Sequence, residues 1–281
     1  MARRERPGCR SPETEAPVQV PNPDFPDGAA EAGGAGTTAS ASATAQADRP
    51  GSARPDHRWG FGAFFFAEAV FILTSVVLPA IYGKPSGDGP LIVLMMMVPT
   101  LLSGAVAVLI TVLRGNGPRL DFGLNLHWWD IRTGLTVGAF GMITTTAASM
   151  IWIRWVGPDN ATSTVSSLLD GVRLSPSLAV LLFLHVWLIA PICEELLYRG
   201  LLWGAMDRLR WSQISAFVLC TALFAIGHLE PERTALLLVI AVPIGVARML
   251  TGRLTASVVA HQVNNFLPAL GLLLLSLGVL G

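Results

Sequence analysis

The sequence predicts an all-α protein, a polytopic transmembrane helix bundle of seven or eight spans behind a disordered N-terminal tail. Three observations carry that reading. Hydrophobic residues make up 52% of the chain and the mean hydropathy is +0.56, both above what a soluble domain shows. The apolar residues gather into runs long enough, at about 1.5 Å per residue, to cross about 30 Å of hydrocarbon. The composition also changes abruptly near Arg58, from a stretch rich in Ala, Gly, Pro, Ser and Thr to a greasy remainder.

Residues 1–58 hold too few large apolar side chains to offset the entropy of ordering them and are expected to be disordered. Arg3, Arg4 and Arg6 are not followed by a short apolar run with a small-residue cleavage site, so they do not read as a signal peptide. Residues 59–174 read as a group of N-terminal transmembrane helices. The first spans Phe61 to Tyr82 and contains Glu68, read as a structural partner within the bundle. The second covers Leu91 to Leu113. Arg114, Arg119, Asp121, His127, Asp130 and Arg132 crowd the connection after it, and Trp128 and Trp129 suit the headgroup level, so this connection is expected at a membrane surface. A third span runs from about Gly134 to Trp155, and a polar loop with Gly157, Pro158, Asp159, Asn160 and Asp170 follows.

Residues 175–281 read as a second group. Ser175 to Met206 would make one helix about 48 Å long, more than a simple crossing needs. Pro191 offers a break, because a proline inside a helix removes a hydrogen bond; Glu194 and Glu195 would then open a new helix, where its dipole favours anions. Ser212 to Leu229 and Thr234 to Leu250 form further spans. From Thr255 on, the chain forms either one tilted helix or a helix with a short hairpin around Pro268.

With seven crossings and the tail inside, the inner flanks carry Arg54, Arg58, Arg114, Arg119, Arg132, Arg208, Arg210, Arg248 and Arg253. The outer flanks carry Lys84, Arg154, Arg173 and Arg233. That asymmetry predicts a multi-pass protein of the cell membrane with a cytoplasmic N-terminus. Formal net charge is zero and no basic stripe is present, so no nucleic-acid partner is expected, whereas the lipid bilayer is. Cys9, Cys193 and Cys220 are odd in number and far apart, and imply no disulfide framework.

Chemistry concentrates where charge enters an apolar run. An ionised side chain at the bilayer centre costs about 2.5–3.5 kcal/mol, so such residues usually face a protein interior or a wet cavity. In Glu194-Glu195-Leu196-Leu197-Tyr198-Arg199, Glu195 and Arg199 are placed for an i,i+4 ion pair. Glu194 emerges about 100° away, beside Leu197 and Tyr198, with no counter-ion in its own segment. An unpaired carboxylate there can take a proton from water, as a general base must. Trp211 is equidistant in sequence from Glu194 and His228, so antiparallel helices about a turn at Arg210 and Trp211 would bring these two level. A water held between them would be a nucleophile. His261 and Asn265 share a face four residues apart and present donors suited to an oxyanion. From a turn near Gly252, however, His261 lies only about 13 Å along its helix, so tilt or a displaced turn is needed to level it with Glu194.

Together, Glu-Glu-x-x-x-Arg at Glu194, Glu195 and Arg199, Phe-x-x-x-His at Phe224 and His228, and His-x-x-x-Asn at His261 and Asn265 resemble the CPBP family of intramembrane glutamic endopeptidases. That family includes the type II CAAX prenyl proteases and bacterial proteins linked to bacteriocin processing or immunity. The resemblance covers about Ser175 to Leu270 and marks residues 175–281 as a catalytic core like that of the family. It implies that Glu194 activates water with help from His228, that His261 and Asn265 stabilise the oxyanion, and that Glu195 and Arg199 hold the motif. It also implies metal-independent hydrolysis of a membrane-associated protein or peptide. Other readings stay open. Glu194, His228 and His261 form a permissible zinc set, which would make a zinc-dependent intramembrane protease. The buried acids would also serve a non-proteolytic immunity or scaffold protein, or a proton-coupled transporter.

Overall fold

The computed structural model describes residues 57–83, 89–157, 161, 163–169 and 171–279, all of them α-helices, short helical turns and connections. All but the last two residues of the expected tail lie outside these, as do Cys9, Lys84, Pro158, Asp159, Asn160 and Asp170. The last two tail residues are built into the fold. The His57 ring stacks on Trp59 at 3.7 Å, and the Arg58 N–H donates to Arg114 O at 2.7 Å.

The helices are α1 (Phe61–Tyr82), α2 (Gly89–Arg114), α3 (Pro118–Asp121), α4 (Trp128–Val156), α5 (Thr164–Leu169), α6 (Pro176–Arg208), α7 (Gln213–Gly227), α8 (Thr234–Thr251) and α9 (Leu254–Ser276). Six of them, α1, α2, α4, α6, the helix over Pro231–Thr251 and α9, are long and apolar enough to cross a membrane. The chain is therefore a multi-pass membrane protein. The span expected over Ser212 to Leu229 is the 15-residue α7, about 22 Å long and so shorter than a full crossing. Its start is fixed by Ser212, whose hydroxyl accepts from the Ser215 N–H at 3.0 Å. At the other end of the chain, α9 passes through Pro268 without a hairpin.

Packing against α6 and α9 decides where the site forms. On α4, Gly134 and Gly138 face α9 so closely that a Cβ on Gly134 would stand 2.7 Å from Ala256 O, and one on Gly138 2.9 Å from the Ala260 Cα. Small residues at this spacing let two membrane helices approach backbone to backbone. On α2, Gly104 leaves room for Cys193, a buried thiol on α6. The connection between α2 and α4 is part exposed and part packed into the bundle. Trp128 and Trp129 are exposed, but Phe122 is buried against Gly200, and buried Asp130 holds Arg253 through two bonds of 2.6 and 2.7 Å. That bidentate contact keeps the Arg253 guanidinium firmly protonated, above its usual range.

Candidate active site

Helix α6 does not break at Pro191. It widens into a π turn at His185–Ile189, returns to α geometry over Ala190–Glu195 and widens again at Leu196–Leu202. The Ala190 N–H reaches back five residues to His185 O, and Pro191 has no N–H to offer, which leaves Val186 O without a backbone donor. Asn265 Nδ2 donates to this oxygen at 3.4 Å, and Gln262 Nε2 donates to Leu188 O at 3.2 Å. Side chains from α9 thus carry α6 past the proline. Glu194 and Glu195 consequently lie mid-helix between two wide turns, a feature common at functional sites, and not at a helix start.

Glu195 and Arg199 are wholly buried and pair at 2.9 Å, as their spacing predicts. The same Glu195 Oε1 receives His261 Nδ1 at 3.0 Å. A carboxylate can only accept, so Nδ1 carries the proton and the other ring nitrogen, Nε2, is turned toward Glu194. Nε2 lies 3.7 Å from Glu194 Oε2, beyond a direct hydrogen bond. Glu194 is 27% exposed, whereas Glu195 is fully enclosed. The adjacent acids are therefore in different environments: one is locked into the bundle and the other borders open space.

Arg199 is fixed from several directions. Its Nη2 donates to Ala241 O on α8 at 3.3 Å, its guanidinium covers the Phe224 ring at 4.8 Å, and its carbonyl accepts from Arg248 Nε at 3.2 Å. The depth mismatch of His261 is resolved by the α8–α9 turn. Leu254 N–H donates to Phe122 O, and the Phe122 ring packs on Gly200. That turn is therefore level with Gly200 and not with the end of α6 near Arg208. Counting from there, His261 and Glu195 are each about 8–10 Å along their helices.

His228 closes the C-terminal end of α7 and is exposed. Its Nδ1 lies 2.7 Å from Phe224 O; a carbonyl can only accept, so Nδ1 bears the proton and Nε2 keeps its lone pair. Phe224 packs on both histidines, with ring centroids 4.6 Å from His228 and 5.6 Å from His261. Among the described residues no direct hydrogen bond or ion pair joins His228 to Glu194; the nearer imidazole partner is that of His261. Leu229, directly after His228, holds a φ of 54°, an uncommon left-handed conformation for a branched side chain, and turns the chain sharply away. Beyond it, Glu230 accepts the Thr164 N–H at 2.6 Å and so pins the loop to α5.

Several contributors escaped the sequence reading. Thr145 donates to Asn264 Oδ1 at 3.0 Å, and His185 is buried within a run read as uniformly apolar, whereas Glu68, expected as a structural partner, accepts a hydrogen bond from Tyr198. The missing N–H of Pro191 was the signal for a side-chain donor at Val186 O, the bond that Asn265 makes. An apolar groove of about 310 Å³, lined by residues including Trp187, Leu188, Gln262 and Phe266, adjoins the capped carbonyls. Among the described residues, no three or more His, Cys, Asp or Glu side chains are grouped to hold a metal ion.

Residues 176–267 match the family model described as type II CAAX prenyl endopeptidase, Rce1-like, a span that includes every motif residue from Glu194 to Asn265. The chain carries a domain of the Rce1-like CAAX protease family. Members of this family are glutamic proteases that work without a cofactor and act on proteins. No curated protein and no solved structure matches the chain. Glu68, on α1, lies outside the Rce1-like domain.

Proposed function

We propose that the protein is a metal-independent intramembrane glutamic endopeptidase that hydrolyses a peptide bond of a membrane-associated protein or peptide. The observation that supports it best is the asymmetric pair of acids around His261: Glu195, neutralised by Arg199, orients the ring, while partly exposed Glu194 stands 3.7 Å from its far nitrogen. In this reading Glu194 removes a proton from water, and the resulting oxygen attacks the scissile carbonyl carbon. His228, with its Nε2 lone pair on the exposed rim, assists through the same water. The oxyanion is stabilised by Asn265 and by His261, which donates from Nε2 when that nitrogen carries a proton as well as Nδ1. As the C–N bond breaks, the proton held by Glu194 passes to the leaving amine.

Residues 59–174 would be the N-terminal transmembrane helices and 175–281 the catalytic core. If α7 crosses as a short seventh span, the excess of arginine on the inner flanks would put the N-terminus in the cytoplasm. The test is to label new N-termini in membranes from cells carrying wild type or Glu194→Gln. Cleavage products present with wild type and lost with folded Glu194→Gln support the reading. Cleavage that disappears on chelation and returns with zinc would favour the metal-dependent alternative.

A further inference from the structure

Helix α1 places an acid where the proposed reaction has no stated use for one. Glu68 Oε1 accepts the Tyr198 hydroxyl at 3.1 Å, and its second oxygen is buried with no partner among the described residues. An acid in a membrane-spanning helix is costly to keep, which marks its contact with Tyr198 as one with a role. Tyr198 follows Glu194 by one helical turn and emerges on the same face of α6. Glu194 acts electrostatically on both members of the pair. The third wall is Gly227, the residue before His228: a Cβ there would collide with the Tyr198 hydroxyl and stand 2.9 Å from Glu68 Oε1. Glu68 therefore meets the Tyr198 side of the site and the shoulder of His228 at one point.

A tyrosine hydroxyl has a single proton to donate. Glu68 takes it across the helix interface, and Glu194, four residues before Tyr198 on α6, is a second carboxylate that could accept it if the first were removed. A hydroxyl bonded to Glu194 would occupy a lone pair that must receive the proton of water and would weaken it as a base. We propose that Glu68 is a positioning residue of the active site, which holds the Tyr198 hydroxyl against Gly227 and keeps it off Glu194. This rests on the peptidase reading of Glu194.

The experiment compares Glu68→Leu, Glu68→Gln, Tyr198→Phe and Glu68→Leu/Tyr198→Phe with wild type. It scores the yield of Glu194-dependent new N-termini in membranes and the thermal unfolding of each purified protein. Glu68→Leu is expected to lose activity by about tenfold or more while staying folded. Glu68→Gln, whose amide oxygen still accepts the bond, should stay within about threefold of wild type, and Tyr198→Phe added to Glu68→Leu should restore activity. The proposal is overturned if Glu68→Leu matches wild type, if Glu68→Gln is as impaired as Glu68→Leu, if the double variant shows no recovery, or if activity falls only with folded protein. Wild type that yields no Glu194-dependent termini is a failure of the peptidase reading instead, and each outcome for Glu68 is scored against active wild type.

Discussion

Replacing Glu195 with alanine removes the common acceptor of the Arg199 and His261 bonds. Both partners of the Glu195–Arg199 pair are fully enclosed, so solvent cannot take over the lost interaction. Arg199 keeps its contacts to Ala241 O and the Phe224 ring, but neither neutralises its charge. Breaking a buried pair from one side typically costs about 3–5 kcal/mol. At about 2–4 °C per kcal/mol for an ordered body of this size, Glu195→Ala should lower the unfolding temperature in detergent by about 6–20 °C. Removing both charges in Glu195→Leu/Arg199→Met should recover most of that loss, because two apolar side chains leave no stranded charge. The double variant should nevertheless be inactive, since nothing then orients His261. A Glu195→Ala protein as stable as wild type, or a double variant less stable than the single one, would refute this account of the network.

Gly138→Leu should force α4 away from Ala260, next to His261, and lower stability by about 1–3 kcal/mol. Because the clash falls on Ala260 of α9, the residue before His261, cleavage should fall by about 100-fold, which a comparison of rates at matched folded protein would reveal. Asn265→Ala separates two duties of one side chain. Loss of its bond to Val186 O should cost only about 0.5–1.5 kcal/mol by thermal unfolding, whereas loss of an oxyanion donor should reduce turnover by about 10²–10³-fold. A turnover loss no larger than the stability change would restrict Asn265 to repairing α6.

The long helices were legible because their apolar runs exceed what a soluble core uses, and the Glu195–Arg199 pair because i,i+4 spacing fixes a shared face. Pro191 misled the reading because a local rule, that proline interrupts a helix, was overridden by a π turn and by donors from a helix more than sixty residues later. The level of His261 depends on Phe122 reaching Gly200, a packing fact that the spacing about Gly252 does not contain. Asp130 looked like one of several surface charges, yet its partner Arg253 lies 123 residues on in the chain, at the start of α9, which packs on α4. Glu68 was visible as an intramembrane acid, but finding its hydrogen-bond partner required knowing that α1 packs on the Tyr198 face of α6.

The most direct measurement of the central claim is the set of new N-termini produced by purified protein returned to lipid vesicles with host membrane proteins, comparing wild type with Glu194→Gln. A partly exposed carboxylate acting as the base predicts products with wild type and none with a folded Glu194→Gln. Equal product from both proteins would contradict it.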